Sequence, residues 1–171
     1  MIRADYARTM AAYNKWQNDS LYAAAGTLDD AARKQDRGAF FGSIHATLNH
    51  LLWGNRMWMS RFTDSPKPAQ PNIPASVDEG GEWAALVEQR LEMDEKIIDW
   101  AAGLTDEVLA GDLSWFSGAI QADVTEPLGL LVTHFFNHQT HHRGQVHSML
   151  TAAGAKPDDT DLFIMPERYL S

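Results

Sequence analysis

The chain of 171 residues contains no cysteine. That excludes a disulfide framework and a thiolate metal site, so any transition-metal centre must be built from His, Asp or Glu. It leaves the redox compartment open. Positive charge is also scarce. Lys and Arg number 14 against 23 Asp and Glu, the net charge is −9, and no basic run occurs. Proteins that bind nucleic acid neutralise phosphates with clustered Lys and Arg, so no nucleic acid is expected as a partner. No apolar run approaches the roughly 18 residues a membrane span needs. The opening "MIRADYARTMAAYNKW" is polar throughout and has no signal-peptide core. A cytoplasmic location is therefore the default expectation, with no membrane partner. Several catalytic signatures are missing as well: G-x-S-x-G, the Walker loop, G-x-G-x-x-G and H-E-x-x-H. Without a Glu-x-x-His, a di-iron carboxylate bundle is disfavoured.

What is present is ordinary for a soluble globular protein, with 44% hydrophobic and 22% charged residues. The length suits one domain over residues 1–171 with a real core. Four segments show helical periodicity. The first runs from about Ala4 to Ala25, with Tyr6, Met10, Tyr13 and Gln17 at helical spacing and Gly26 as a stop. The second runs from about Phe40 to Phe62, ahead of the proline-rich connection "TDSPKPAQPNIP". The third runs from about Val77 to Ala102. The fourth starts near Thr125, read as an N-cap ahead of Pro127, and ends at Ala153 before Gly154. Before it, Leu113 to Ser117 and Ala119 to Val124 are partly β-favouring around Gly118, which suggests a small hairpin or an irregular loop. The tail "KPDDTDLFIMPERYLS" is too short for a domain and should pack on the rest. The expected fold is all-α: a four-helix bundle with a short irregular or hairpin segment before the last helix.

The window "HFFNHQTHHRGQVH", His134 to His147, holds five of the seven histidines. At about 100° per residue, His138 and His142 stack one turn apart on one face. His134 and His141 lie near that face, and His147 points away. Two imidazoles at i and i+4 can reach one ion, the geometry used by H-E-x-x-H. A pair alone is as readily a surface or satisfied core pair, because a zinc site wants at least three protein ligands. The second helix offers His45 and His50, about 140° apart. His50 follows Leu48 and precedes Leu51 on the more apolar side, so it is the chosen third ligand. Three histidines with an open position are the pattern of a catalytic metal site. His nitrogens suit zinc, nickel, copper and iron alike.

Neighbouring residues have competing readings. His134 and His141 should line the pocket or hydrogen-bond. Gln145, on the face of His134, or His141 would be the fourth ligand of a closed site. Asn14 and Gln17 could reach the site or serve as caps or solvated groups. Asp94 could hold a ligand histidine, although a solvated helix edge is its preferred reading. Arg143 faces away and suits a salt bridge or interface. Gly144 suggests close helix packing. Trp115 and Phe116 could wall the pocket.

Two blocks, "TLNHLLWGNRMWMSRF" (Thr47 to Phe62) and "HFFNHQTHHRGQVHSMLTAAG" (His134 to Gly154), together with "YNKWQN" (Tyr13 to Asn18) and Asp161-Leu162, resemble the DinB-like family of metal-binding four-helix bundles. The resemblance spans essentially the whole chain. It implies that His50 of T-L-N-H, with His138 and His142 of H-x-x-x-H-R-G-Q, binds a divalent metal. It also implies a homodimer and kinship with thiol-dependent enzymes, such as bacillithiol transferases and mycothiol isomerases. The leading expectation is a zinc- or nickel-dependent thiol S-transferase, with iron as a further candidate metal. A chain without cysteine must take its thiol from a small-molecule cosubstrate. A hydrolase acting through metal-activated water, or a metal-binding stress-response protein without turnover, are the alternatives.

Overall fold

In the computed structural model, residues 2–118 and 120–170 are described. Four long helices form the bundle: α1 (Ala4–Gly26), α3 (Ile44–Phe62), α4 (Trp83–Ala102) and α6 (Leu128–Ala152). Two short helices, α2 (Asp30–Lys34) and α5 (Asp106–Leu109), sit in the connections. A single antiparallel hairpin, β1 (Asp112–Ser117) and β2 (Ala122–Pro127), leads directly into α6. The all-α bundle with a hairpin ahead of its last helix is thus the observed architecture. None of the described helices is long and apolar enough to cross a membrane.

The core follows from the helical stripes. Ile44, Leu48 and Leu52 of α3 meet Leu86 and Ile97 of α4 and Val132, Phe135, Phe136, Val146 and Leu150 of α6, all fully buried. Each such side chain contributes about 1.5–3 kcal/mol of burial. Helix α1 brings small residues instead, with Ala7, Ala11 and Ala25 buried, and this lets its backbone lie close to α4 and α6. The tail packs on α1. The Tyr13 hydroxyl donates to Thr160 O at 2.7 Å, Gln17 donates to Asp159 O at 2.9 Å, and Met165 is buried beside Tyr13 and Trp16.

Three helix starts differ from the expected ones. Helix α3 begins at Ile44 rather than Phe40. Gly42 has φ 76°, and Ser43 caps the helix by accepting from the Ala46 N–H at 3.1 Å. The third helix does not begin at Val77. Pro74–Asp78 form a 3₁₀ turn, Gly81 (φ 71°) breaks the path, and α4 starts at Trp83. The fourth does not begin at Thr125. That residue pairs with Ser114 in the hairpin, their hydroxyls 2.7 Å apart, and the strand continues to Pro127. Cross-strand bonding satisfies this backbone better than a frayed first helical turn. The hairpin itself spans different residues from those expected, and Ala119, expected to open the second strand, lies outside the described residues.

The 3₁₀ turn before α4 is firmly anchored. Glu79 is buried, pairs with Arg56 at 2.7 Å, and accepts from the Ala69 and Gln70 N–H groups at 3.1 and 2.9 Å. Trp53 donates its indole N–H to Gln70 O at 2.8 Å. Gly80 donates its N–H to Asn49 Oδ1 at 2.6 Å. These bonds clamp residues 69–80 against α3, and Ser76 lies among them.

Candidate metal centre

One helical turn separates His138 from His142 on α6, and their rings lie 4.6 Å apart. His50 projects from the facing helix α3, with its ring 5.4 Å from His138 and 4.8 Å from His142. One nitrogen from each of the three lies within 4.8 Å of the other two. His50 Nε2 and His138 Nε2 approach to 3.4 Å. His45, the rejected candidate, points elsewhere and contacts Asn49 through Nδ1 at 3.3 Å.

The hydrogen bonds assign the tautomers of two rings. Ser76 donates its hydroxyl proton to Ile73 O at 2.6 Å, so toward His50 Nδ1, 2.8 Å away, Ser76 Oγ acts as acceptor. His50 Nδ1 therefore carries the proton and Nε2 the lone pair. His142 Nδ1 faces Gln145 Oε1 at 2.8 Å, a carbonyl oxygen that can only accept, which leaves the His142 Nε2 lone pair free. Partners of this kind fix a ligating ring and raise its basicity. His138 Nδ1 is buried and has no hydrogen-bond partner among the described residues.

Packing holds the rings in place. His50 lies between Phe41, ring centres 3.9 Å apart and nearly parallel, and Trp53 at 5.7 Å. Gly54 of α3 faces His138, and a Cβ there would stand 3.1 Å from His138 Cε1. Burial, reinforced by the neighbouring imidazoles, pushes His50 down to about 3 and His138 to about 4. His142 is also lowered, mainly by burial. All three are neutral at pH 7, as metal ligation requires. Three converging neutral imidazoles, two with their tautomers set, fit a divalent transition metal. A groove of about 440 Å³, lined by Arg37, Ala39, His141, Gln145 and Ser148 among others, shares Gln145 with the surroundings of His142 but is lined by none of the three histidines.

A sequence model of the DinB family matches residues 1–168. This chain belongs to the DinB family. A curated relative, Protein DinB of Bacillus subtilis (strain 168), is 25% identical over 169 residues, covering 94% of this chain and 95% of that protein. A solved DinB-like protein from Bacillus cereus ATCC 10987 superposes with a TM-score of 0.62 over 85% of this chain and 91% of its own. At 15% identity that likeness speaks to the fold.

The remaining site residues divide between those near the group and those away from it. His134 packs on Trp58 at 5.1 Å and lies 5.9 Å from the His138 ring, beside the three-histidine group but not in it. His141 is exposed, 4.9 Å ring to ring from His142. Gln145 orients His142 through its Nδ1. Trp115 meets Trp58 at 6.0 Å and so backs the His134 side, while Phe116, on the other face of its strand, is exposed.

Asn14 is not at the site. It is fully buried, donates to Asp94 Oδ1 at 3.1 Å and accepts from Arg143. Helix α1 packs against α4 and the far face of α6, which carries Asn14 away from the histidines. Gln17 faces the tail. Asp94 is neither solvated nor bonded to a histidine. It is buried and bonded to Arg90, Asn14 and Asn18. Burial raises its carboxyl to about 6 against the pull of Arg90 and Asn18. Arg143 is buried, and its guanidinium bonds Asn14 and Thr140 in place of the expected salt bridge. Gly144 is exposed, and nothing lies within 4 Å of where its Cβ would stand, so close helix packing is not its role.

Sequence reasoning missed Ser76, Phe41 and Gly54. Ser76 sits in the 3₁₀ turn before α4, and Phe41, expected inside the second helix, sits in the connection before α3. Gly54 inside an otherwise good helix was the one available signal, since such a glycine costs about 1 kcal/mol unless it makes room for something.

Proposed function

We propose that this protein binds a divalent transition metal, zinc or nickel, through His50, His138 and His142, and uses it to join a small-molecule thiol through its sulfur to the carbon of an electrophile, with loss of the thiol proton and of the electrophile's leaving group. The observation that carries the reading is the convergence of three neutral imidazoles, with the Nδ1 atoms of His50 and His142 held by Ser76 and Gln145. A metal held by three neutral nitrogens lowers the pKa of a thiol that reaches it. The chain's own residues present the Nε2 lone pairs, keep the rings deprotonated by burial, and shield His50 beneath Phe41. The absence of cysteine supports an external thiol. The homodimer and cytoplasmic setting belong to the same reading.

Metal analysis and calorimetric titration with zinc and nickel, on wild type and His138→Ala, test the site. Wild type should bind about one ion per chain, and the variant far more weakly. Equal, weak binding by both refutes the metal centre. Incubating the loaded protein with a low-molecular-weight thiol and an alkylating electrophile tests the reaction. Conjugate forming faster than with His138→Ala supports transfer. Ester hydrolysis without conjugation supports the hydrolase instead, and binding without either reaction supports a metal-binding protein that does not turn over.

A further inference from the structure

On the side of α6 away from the three histidines, Arg143 is 4% exposed. Its guanidinium donates to Asn14 Oδ1 and to Thr140 Oγ1, and lies 5.7 Å from the Tyr13 ring centre. Among the described residues no carboxylate forms an ion pair with it. The buried carboxylate of this layer, Asp94, is engaged by Arg90 at 2.9 Å and by the amides of Asn14 and Asn18. The layer thus holds two guanidiniums and one carboxylate, which Arg90 pairs and Arg143 does not. A buried cation is expensive to leave without a counter-charge.

Arg143 also lines a cavity of about 230 Å³ between α1 and α6, with Tyr13, Gln17, Thr140, His147 and Thr160. The Tyr13 hydroxyl and the Gln17 amide are bonded to the tail carbonyls of Thr160 and Asp159. The Thr140 hydroxyl donates to Phe136 O. What remains for a ligand is the rest of the guanidinium donors and the His147 imidazole, whose side chain has no hydrogen bond among the described residues. No residue of the three-histidine group lines this cavity. A planar guanidinium matches two oxygens of one anion. With a water's share of liquid volume at about 30 Å³, the space takes a small ligand.

We propose that the cavity between α1 and α6 is a second binding site, for a small oxygen anion such as a carboxylate or phosphate group, gripped by Arg143 with His147 beside it. The ligand supplies the counter-charge that the buried layer lacks.

The test titrates the full chain with inorganic phosphate and, separately, with acetate. Chloride at matched ionic strength is the control, and calorimetry and thermal melting are the readouts. A saturable response to one of them, not reproduced by chloride, is expected, and which anion gives it distinguishes phosphate from carboxylate. Arg143→Met should weaken it at least about tenfold. If that variant does not fold, His147→Leu, which leaves the buried layer intact, should weaken it several-fold. His138→Ala, which breaks the three-histidine group, should keep the response. No saturable response to either anion overturns the proposal. So does a response unchanged in the Arg143 and His147 variants, or one lost in His138→Ala, which would place the anion among the three histidines.

Discussion

Gly54→Ala separates the stability of α3 from the geometry of the metal centre. The new methyl would stand 3.1 Å from His138 Cε1 and 3.5 Å from Nδ1, whereas ordinary contacts begin near 3.4 Å. The ring must therefore recede by a few tenths of an ångström. Nothing else within 4 Å opposes the methyl, and alanine in a helix interior is favoured over glycine by about 1 kcal/mol. The metal-free variant should be as stable as wild type or more so. Metal–nitrogen distances tolerate only about 0.2 Å, so the displaced His138 should bind less well. A loss of about 10- to 100-fold in affinity, as for other supports of a ligand histidine, corresponds to about 1.4–2.7 kcal/mol. Urea melts of the chelated protein and competition for zinc against a chromophoric chelator read the two effects separately. If Gly54→Ala binds zinc within about twofold of wild type, α3 does not set the position of His138 and the reasoning fails.

Ser76→Ala leaves His50 Nδ1 without its acceptor, and the same chelator competition should show a loss of about 10- to 100-fold in metal affinity. A change below about threefold would mean that Phe41 and Trp53 alone orient the ring. Arg90→Met strands the Asp94 carboxylate in the core and should cost about 3–5 kcal/mol in urea unfolding. Adding Asp94→Leu should recover part of that loss, and a purely additive double variant would contradict the coupling. The pH dependence follows from the depressed histidines. In the folded, metal-free protein His50 and His138 stay neutral down to about 3 and about 4, while the unfolded chain takes up protons from about 6.5. Stability should therefore fall as pH drops from about 6.5 toward 4. His138→Ala should flatten the slope of denaturation midpoint against pH, and an unchanged slope would count against the buried ring.

Much of the site was legible before the fold. His138 and His142 were separable from His134, His141 and His147 because 100° per residue sorts a run of histidines by face. His50 was separable from His45 because its apolar neighbours mark the inward side of α3. The helix starts were less legible. Thr125-Glu126-Pro127 reads as a helix start, yet it forms a strand end because residues 112–117 lie alongside to bond it. Arg143 was rightly placed off the metal face, but in place of the expected salt bridge it meets the neutral Asn14 and Thr140, since helical phase says which way a side chain points and not what it meets.

Local periodicity, charge and the missing cysteine by themselves determined an all-α chain, a candidate site without thiolate and the histidine trio that could form it. Those properties depend on spacing within one helix or on composition. Only tertiary structure decided that Ser76 and Gln145 set the imidazole tautomers, that Gly54 gives His138 its room, and that Asn14, Asp94, Arg90 and Arg143 form one buried polar layer. Apart from Gln145, which is local to α6, and the Arg90–Asp94 pair, which is local to α4, these contacts join segments far apart in the chain. They come into being when the helices pack, and no local pattern encodes them.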